Sequence, residues 1–389
     1  MKQNSVWLFG KKVDILGLYL PVWSALLILV LLPTDYHSND IPVWVWVIFV
    51  LGLDVGHVWT SIYRTYFSEK DRIRYKTYLW VVPLIAFLFF GFLAFINIGW
   101  YWMALAYFAL YHFIKQQFGF MQLYKFKNKM NSEGETLNGL ESLGKDYNNR
   151  QPGFIWNNRI LKSLLNDKWV VYLTMVYPVL IWHFSSDRVF NWFVPGDFLY
   201  FQINDELFNI FVMAGNVVYF AILVIWVVKQ VVLTKEWGKT LWVVTTALNW
   251  YLGIVWFNSD LVFTVTNVLA HGLPYFILII YYKVKTEKLN KENAEVFGVF
   301  GAKLKWPLII VFSVLTLAYI EEYFWDMWLY RDNVDLFTVL FDYPMERLSG
   351  RLEVALAFGI LVVPQVSHYI FDGIIWKSNK QPELKRIFS

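Results

Sequence analysis

Long apolar segments recur along the whole chain. A helix needs about 20 apolar residues to cross a bilayer. Ten segments of roughly this kind occur, at residues 15–32, 42–66, 78–97, 100–124, 168–184, 207–229, 240–257, 261–283, 306–320 and 353–376. A composition of 58% hydrophobic and 20% aromatic residues agrees with membrane insertion. We therefore predict an all-α integral membrane protein, a bundle of about ten transmembrane helices that forms one polytopic domain over residues 1–389.

The distribution of lysine and arginine predicts the orientation of this bundle. Cations follow the even-numbered segments, within residues 70–76, 125–129, 229–239 and 283–288, and again in the tail at 377–386. Loops after odd-numbered segments are short, neutral or acidic. The positive-inside rule then places the N- and C-termini in the cytoplasm. Residues 125–167 are predicted as a cytoplasmic loop with a short interfacial helix, and the expected location is a plasma membrane or a bacterial inner membrane, with multiple passes.

Composition and missing motifs exclude several classes of function. The net charge is only +4 and the cations lie between apolar segments, so no nucleic-acid partner is expected. The absence of cysteine excludes disulfides, iron–sulfur clusters and thiolate-bound haem, and any metal must be held by nitrogen and oxygen. No nucleotide-binding loop, Gly-rich dinucleotide turn, HExxH pair or nucleophile elbow is present, which argues against an ATP-driven pump and a serine hydrolase.

Four of the six histidines lie inside predicted spans and each has a polar neighbour one helical turn away. The pairs are His57 with Asp54, His112 with Gln116, His271 with Asn267, and His368 with Asp372. Such spacing places both members on one helix face. A carboxylate at the bilayer centre costs about 2.5–3.5 kcal/mol on insertion scales, so it needs a partner or a function. His37 and His183 are expected to be ordinary interfacial residues.

The depth of the four histidines predicts a shared site. Their helices all run from outside to inside, and each histidine lies between about 10 and 20 Å from the first inner-loop cation at about 1.5 Å per residue. We predict that the four rings and two carboxylates bind metal in the inner half of the membrane. The predicted ligands are His57, His112, His271, His368, Asp54 and Asp372, with the two aspartates also as catalytic groups and Gln116 and Asn267 as supporting residues.

The ligand types restrict the metal. Imidazole and carboxylate without thiolate suit non-haem iron, manganese or zinc. Four imidazoles and two carboxylates would also serve a dinuclear site, with two ions about 3.5–4 Å apart.

In its many spans and intramembrane His and Asp residues, the chain resembles the Brp/Blh-type membrane oxygenases that cleave carotene. In ligand types alone it also resembles membrane fatty-acid desaturases and hydroxylases. Those enzymes cluster their histidines in HxxxH and HxxHH boxes, which this sequence lacks, so no individual residue is carried over from them. The resemblance implies oxygen-dependent metal chemistry and no particular substrate.

The leading interpretation is a membrane metalloenzyme, a non-haem iron oxidoreductase acting on a lipid or isoprenoid, with an electron donor protein as a possible partner. Three alternatives stay open at this stage. Zinc in the same site would activate water to hydrolyse a lipid amide or ester. The histidines would serve as axial ligands of b-type haem in an electron carrier. A proton-coupled transporter would use the Asp and His residues as a relay.

Overall fold

In the computed structural model the described parts of the chain contain helices and connecting segments, and no strand. The structure describes residues 6–32, 41–139, 165–189, 191–291, 298–343, 346–377 and 382–388. Seven helices within these ranges are long and apolar enough to cross a membrane. The prediction of an all-helical protein is confirmed for the described residues, and the seven apolar helices agree with a membrane bundle.

Eleven helices in the described residues matter for the site, and we number them in chain order. They are α1 (Lys11–Leu31), α2 (Val43–Arg64), α3 (Lys76–Ile96), α4 (Ile98–Gly139), α5 (Asp167–Phe184), α6 (Asp205–Thr234), α7 (237–256), α8 (Asp260–Lys291), α9 (Gly298–Trp325), α10 (Arg351–Ile375) and α11 (Pro382–Phe388). All ten apolar segments of the sequence are helical. The seven that meet the membrane-crossing criterion are α1, α2, α3, α6, α8, α9 and α10.

Several helices are longer than the apolar pattern predicts, and α4 and α8 extend the furthest into polar sequence. Helix α4 continues to Gly139, whereas the apolar segment ends near residue 124, so the first part of the predicted loop 125–167 is helical. The predicted interfacial helix falls mainly within 140–164, which lies outside the described residues. Helix α8 likewise continues to Lys291. Backbone hydrogen bonding is complete within a helix, so polar residues can extend an apolar helix into water.

The helices that carry the four histidines pack against one another at the centre of the bundle. Helix α2 contacts α8, α9 and α10, and α4 contacts α7, α8 and α10. Helix α3 packs along α10, and α6 packs on α5 at the periphery. Exposed apolar side chains cover the outer helices, including Leu207, Met213 and Val217 on α6, as expected for surfaces that face lipid.

The short helix α11 returns the tail to the bundle. Leu384, Ile387 and Phe388 are 0 to 1% exposed and join the main core. Glu383 at its start accepts a hydrogen bond of 2.6 Å from Arg74, and Lys70 lies 3.3 Å from the same carboxylate. The tail is therefore fixed by apolar burial and by an ion-pair cluster together.

Candidate metal centre

The four intramembrane histidines, which lie far apart in the sequence, meet in one cluster. Their side chains come from α2, α4, α8 and α10 and are 0 to 2% exposed. The ring centroid of His57 lies 4.6 Å from that of His271 and 4.9 Å from that of His368. The ring of His112 lies 4.7 Å from His368 and 5.0 Å from His271. We call these four residues the histidine cluster.

Ring nitrogens of the histidine cluster are close enough to share one ion. His57, His112 and His368 each offer a nitrogen, and these three atoms lie within 4.8 Å of one another. Nε2 of His271 lies 3.0 Å from Nε2 of His57. Two nitrogens bound to one ion at about 2.0–2.1 Å are roughly 3 Å apart, so the His57–His271 contact has the spacing of a ligand pair. The nitrogens of His57, His112 and His368 would reach the same spacing after a small inward shift of their side chains.

Several nitrogens in the histidine cluster have no hydrogen-bond partner among the residues that the structure describes. These buried atoms are Nε2 of His112, Nδ1 of His271, and both Nδ1 and Nε2 of His368. A buried polar atom without a partner costs about 1–3 kcal/mol. A metal ion would use imidazole lone pairs that otherwise remain unsatisfied. The residues therefore fit a nitrogen-bound metal, and the chemistry of the donor set is that of zinc or a first-row transition metal.

The backbone of α2 orients His57. Nδ1 of this ring lies 3.3 Å from the carbonyl oxygen of Leu53, and a proton on Nδ1 leaves the lone pair of Nε2 free. Residues Trp46–Val55 form π-helical turns directly before His57. Such turns change the direction of the side chains that follow and often occur at functional sites.

Both predicted carboxylates lie beside the histidine cluster. Asp54 is 3.6 Å from Nδ1 of His57, and Asp372 is 3.7 Å from Nδ1 of His368. Neither belongs to the group of atoms within 4.8 Å of one another. Their positions suit a role in fixing the orientation and protonation of the rings better than direct binding of the same ion.

The two predicted supporting residues form hydrogen bonds between helices. Gln116 donates 2.9 Å to the backbone carbonyl of His271 and lies beside the ring of His112. Asn267 accepts a hydrogen bond of 3.4 Å from Asn249 on α7. Both residues position the helices that carry the cluster.

Gln117 completes the hydrogen bonding of helix α8. Pro274 lacks the N–H that would bond the carbonyl of Ala270, four residues earlier. The side chain of Gln117 donates 2.9 Å to this carbonyl and accepts a bond of 2.9 Å from Thr246. Helix α8 thus continues through Pro274 because α4 supplies the missing donor.

Close packing of α2 and α8 brings His57 to His271. A Cβ at Gly272 would lie 2.8 Å from the carbonyl oxygen of Leu53 and 3.4 Å from Nδ1 of His57. No side chain fits at this position without moving a backbone. The glycine next to His271 therefore permits the contact between the two rings.

Two tyrosines complete the surroundings of the histidine cluster. The ring of Tyr369 stacks on His112 at 4.5 Å. Tyr275 donates a hydrogen bond to Asp372, and its ring lies 5.0 Å from that of His368. Sequence spacing contained the signal for Tyr275, which follows His271 by one helical turn and shares its helix face.

A cavity of about 490 Å³ leads to the histidine cluster between α4 and α10. Its wall includes His112, Asp372, Tyr275 and Tyr369 at the cluster, and it extends along both helices to Gln122 and Lys377. Tyr111, also in the wall, is 63% exposed, so the cavity adjoins the outer surface of the bundle. The volume lies within the range of about 300–1,000 Å³ that is usual for small-molecule sites.

Comparison with known proteins does not add to this description. No protein-family model, no curated protein and no solved structure matches the chain. The geometry of the histidine cluster and its cavity is therefore the basis for the function proposed below.

Proposed function

We propose that the protein is a membrane metalloenzyme whose histidine cluster binds one transition-metal ion. The observation that carries the proposal is the convergence of four buried imidazoles, several of which have nitrogens without a hydrogen-bond partner in the described part of the chain. His57, His112 and His368 would hold the ion, and His271 would join through Nε2. Asp54 and Asp372 would orient the rings.

The metal that we propose is non-haem iron, and the class of reaction is oxidation of a lipid or isoprenoid with O₂. Iron in such a nitrogen-rich site supplies activation of O₂. The cavity supports this choice because it is largely apolar, reaches His112 and Asp372, and adjoins the lipid-facing surface. Its aromatic walls would exclude water from the reacting part of the substrate. An electron donor protein would bind from the cytoplasmic side.

The close packing of the rings favours a single ion over the other assignments. A haem would have to insert its flat macrocycle between rings whose centroids are only 4.6 to 5.0 Å apart. A dinuclear centre would need the carboxylates as ligands, and they lie at Nδ1 atoms, 3.6 and 3.7 Å away. Zinc would fit the same nitrogens, and with zinc the proposed activity would be that of a hydrolase.

The orientation proposed for the bundle follows from its charge. From the lysines of the loops and tail we infer that both termini are cytoplasmic, in a plasma membrane or a bacterial inner membrane, and that ten helices cross. The cavity would then open towards the inner leaflet, since Lys377 follows the inner end of α10.

Elemental analysis of protein purified in a neutral detergent tests the proposal. We expect about one equivalent of iron per folded chain, with O₂ uptake in the presence of lipid and a reductant. One equivalent of zinc and lipid hydrolysis without O₂ would replace the oxidoreductase by the hydrolase. Less than about half an equivalent of any transition metal in a folded preparation would overturn metal binding, and proton flux in vesicles would then favour the transporter.

A further inference from the structure

Two lysines interrupt the largely apolar and aromatic wall of the cavity. Lys115 lies one turn beyond His112 on α4 and is half-buried, and Lys377 follows the last turn of α10 and is exposed. Both are in the cavity wall. Lys115 is inside the segment 100–124 that the sequence predicts as a span, where a cation is costly without an anionic partner.

Neither lysine has a carboxylate partner among the residues that the structure describes. The amine of Lys115 instead lies 5.5 Å over the ring of Phe118 and 6.0 Å from the ring centre of Tyr111. Lys239 shows what a buried cation in this bundle otherwise has, because its amine is 3.0 Å from Asp167 and is also paired with Glu236. Asp372 in the cavity wall accepts its bond from Tyr275.

We propose that the cavity binds an anionic lipid, with its carboxylate or phosphate head group at Lys115 and Lys377 and its hydrocarbon chain along the aromatic wall. Ammonium groups form strong charge-assisted hydrogen bonds with both head-group types. Phe108, Tyr369 and Ile370 supply apolar wall for the chain. The protein thus offers the two chemistries of an anionic lipid in one cavity.

The position of Lys115 specifies which part of the lipid meets the histidine cluster. Three residues separate Lys115 from His112, a rise of about 4.5 Å along the helix. A head group bound at Lys115 places the adjoining carbons of the chain beside His112 and Asp372. The assignment of this lipid as the substrate rests on the proposed function, whereas its binding does not require the metal.

Equilibrium binding to detergent-purified full-length protein tests the inference. The probe is a radiolabelled long-chain fatty acid, and the competitors are the alcohol of the same chain length, a single-chain phosphatidic acid and inorganic phosphate. We expect both anionic lipids to compete at least about tenfold better than the alcohol, as for a lost charge-assisted hydrogen bond. Inorganic phosphate should not compete with the fatty acid. Competition by the alcohol that equals that of the anionic lipids would overturn the inference. If inorganic phosphate competes as well as the anionic lipids do, the site binds a free anion and the inference is also overturned.

Variants of the two lysines provide the second readout. Lys115→Gln with Lys377→Gln should remove the preference for the acid over the alcohol, and Lys115→Arg with Lys377→Arg should restore it. Lys76→Gln changes an exposed lysine outside the cavity and should leave the preference intact. Retention of the preference in a folded double Gln variant would overturn the inference. The two proposals can also be separated. If the purified wild type contains no metal but prefers the acid, and the double Gln variant loses that preference, the inference of lipid binding is supported and the proposal of metal binding fails.

Discussion

His183 and the histidine cluster show two different environments for a buried imidazole in the same bundle. His183 is 7% exposed, and both of its nitrogens have partners, the carbonyl of Val179 at 2.7 Å and the hydroxyl of Tyr107 at 2.9 Å. His368 is 0% exposed, and within the described ranges neither of its nitrogens has a hydrogen-bond partner. Burial is common to both histidines, so the presence or absence of protein partners is what distinguishes a structural imidazole from one that requires a ligand.

Buried carboxylates show a related difference. Asp14 accepts hydrogen bonds from the backbone of Leu8 and Phe9 and from the hydroxyl of Tyr124, at 2.6 to 2.8 Å. These bonds attach the start of α1 to α4. Asp372 instead accepts from Tyr275, neighbours His368 and lines the cavity. The first carboxylate is a structural connection, and the second is available to a site.

Removing a histidine from each environment gives the largest expected difference. His368→Ala should weaken metal binding by at least about 100-fold. Loss of a residue that only supports a metal ligand typically weakens binding about 10–100-fold, and loss of the ligand itself should have a larger effect. His183→Ala is the matched control. It should retain the metal and lose stability, since Tyr107 and Val179 lose their shared partner. Metal content and thermal unfolding measure both effects. Equal metal loss in the two variants would remove the distinction between the environments.

Enlarging Gly272 should disturb the histidine cluster through packing. Gly272→Ala should destabilise the protein by about 1–3 kcal/mol and reduce metal content, because α2 and α8 must separate at Leu53. Gly119→Ala is the control, as its Cβ would meet nothing within 4 Å. Unfolding of both variants in the same detergent, with metal analysis, gives the comparison. A Gly272→Ala protein as stable and as metal-rich as Gly119→Ala would contradict the close approach.

Substitution of Glu383, whose carboxylate is paired with Arg74 and Lys70 near the surface, should have the smallest effect on stability. Burial opposes ionisation of Glu383, but the hydrogen bond and charge of Arg74, with Lys70, outweigh it and lower the pKa of Glu383 to about 2 from 4.5. The ionised form is therefore stabilised by folding. Glu383→Gln should cost about 0.2–1 kcal/mol near pH 7, the usual value of an exposed ion pair, with metal content unchanged.

The contribution of the Glu383 ion pair to stability should depend on pH in a defined direction. A lowered folded-state pKa gives stability that is present above the unfolded value of 4.5 and is lost as pH falls towards 2. The difference in unfolding free energy between the wild type and Glu383→Gln should thus shrink across this window. A difference that stays constant from pH 7 to pH 3 would show that the ion pair does not stabilise the tail.

Particular residues show how far sequence reasoning extends. Helical periodicity placed Asp54 beside His57 and Asp372 beside His368, and the structure has both pairs within 3.7 Å. The same reasoning predicted Gln116 and Asn267 as supporting residues of the site, and it could not give their partners, which are a carbonyl of α8 and a side chain of α7. Contacts within one helix turn follow from the helical repeat, but a side chain's partner on another helix depends on the rotation and depth of both helices.

The sequence by itself determined the helical membrane class, since hydropathy and segment length act locally along the chain. It also determined that each intramembrane histidine has a polar neighbour one turn away. Only the tertiary structure decided that each ring of the histidine cluster lies within 5.0 Å of two others, that Gly272 permits their approach, and which nitrogens lack hydrogen-bond partners among the described residues. The physical reason is that these distances depend on how whole helices pack, and helix packing is set by side chains distant in the sequence.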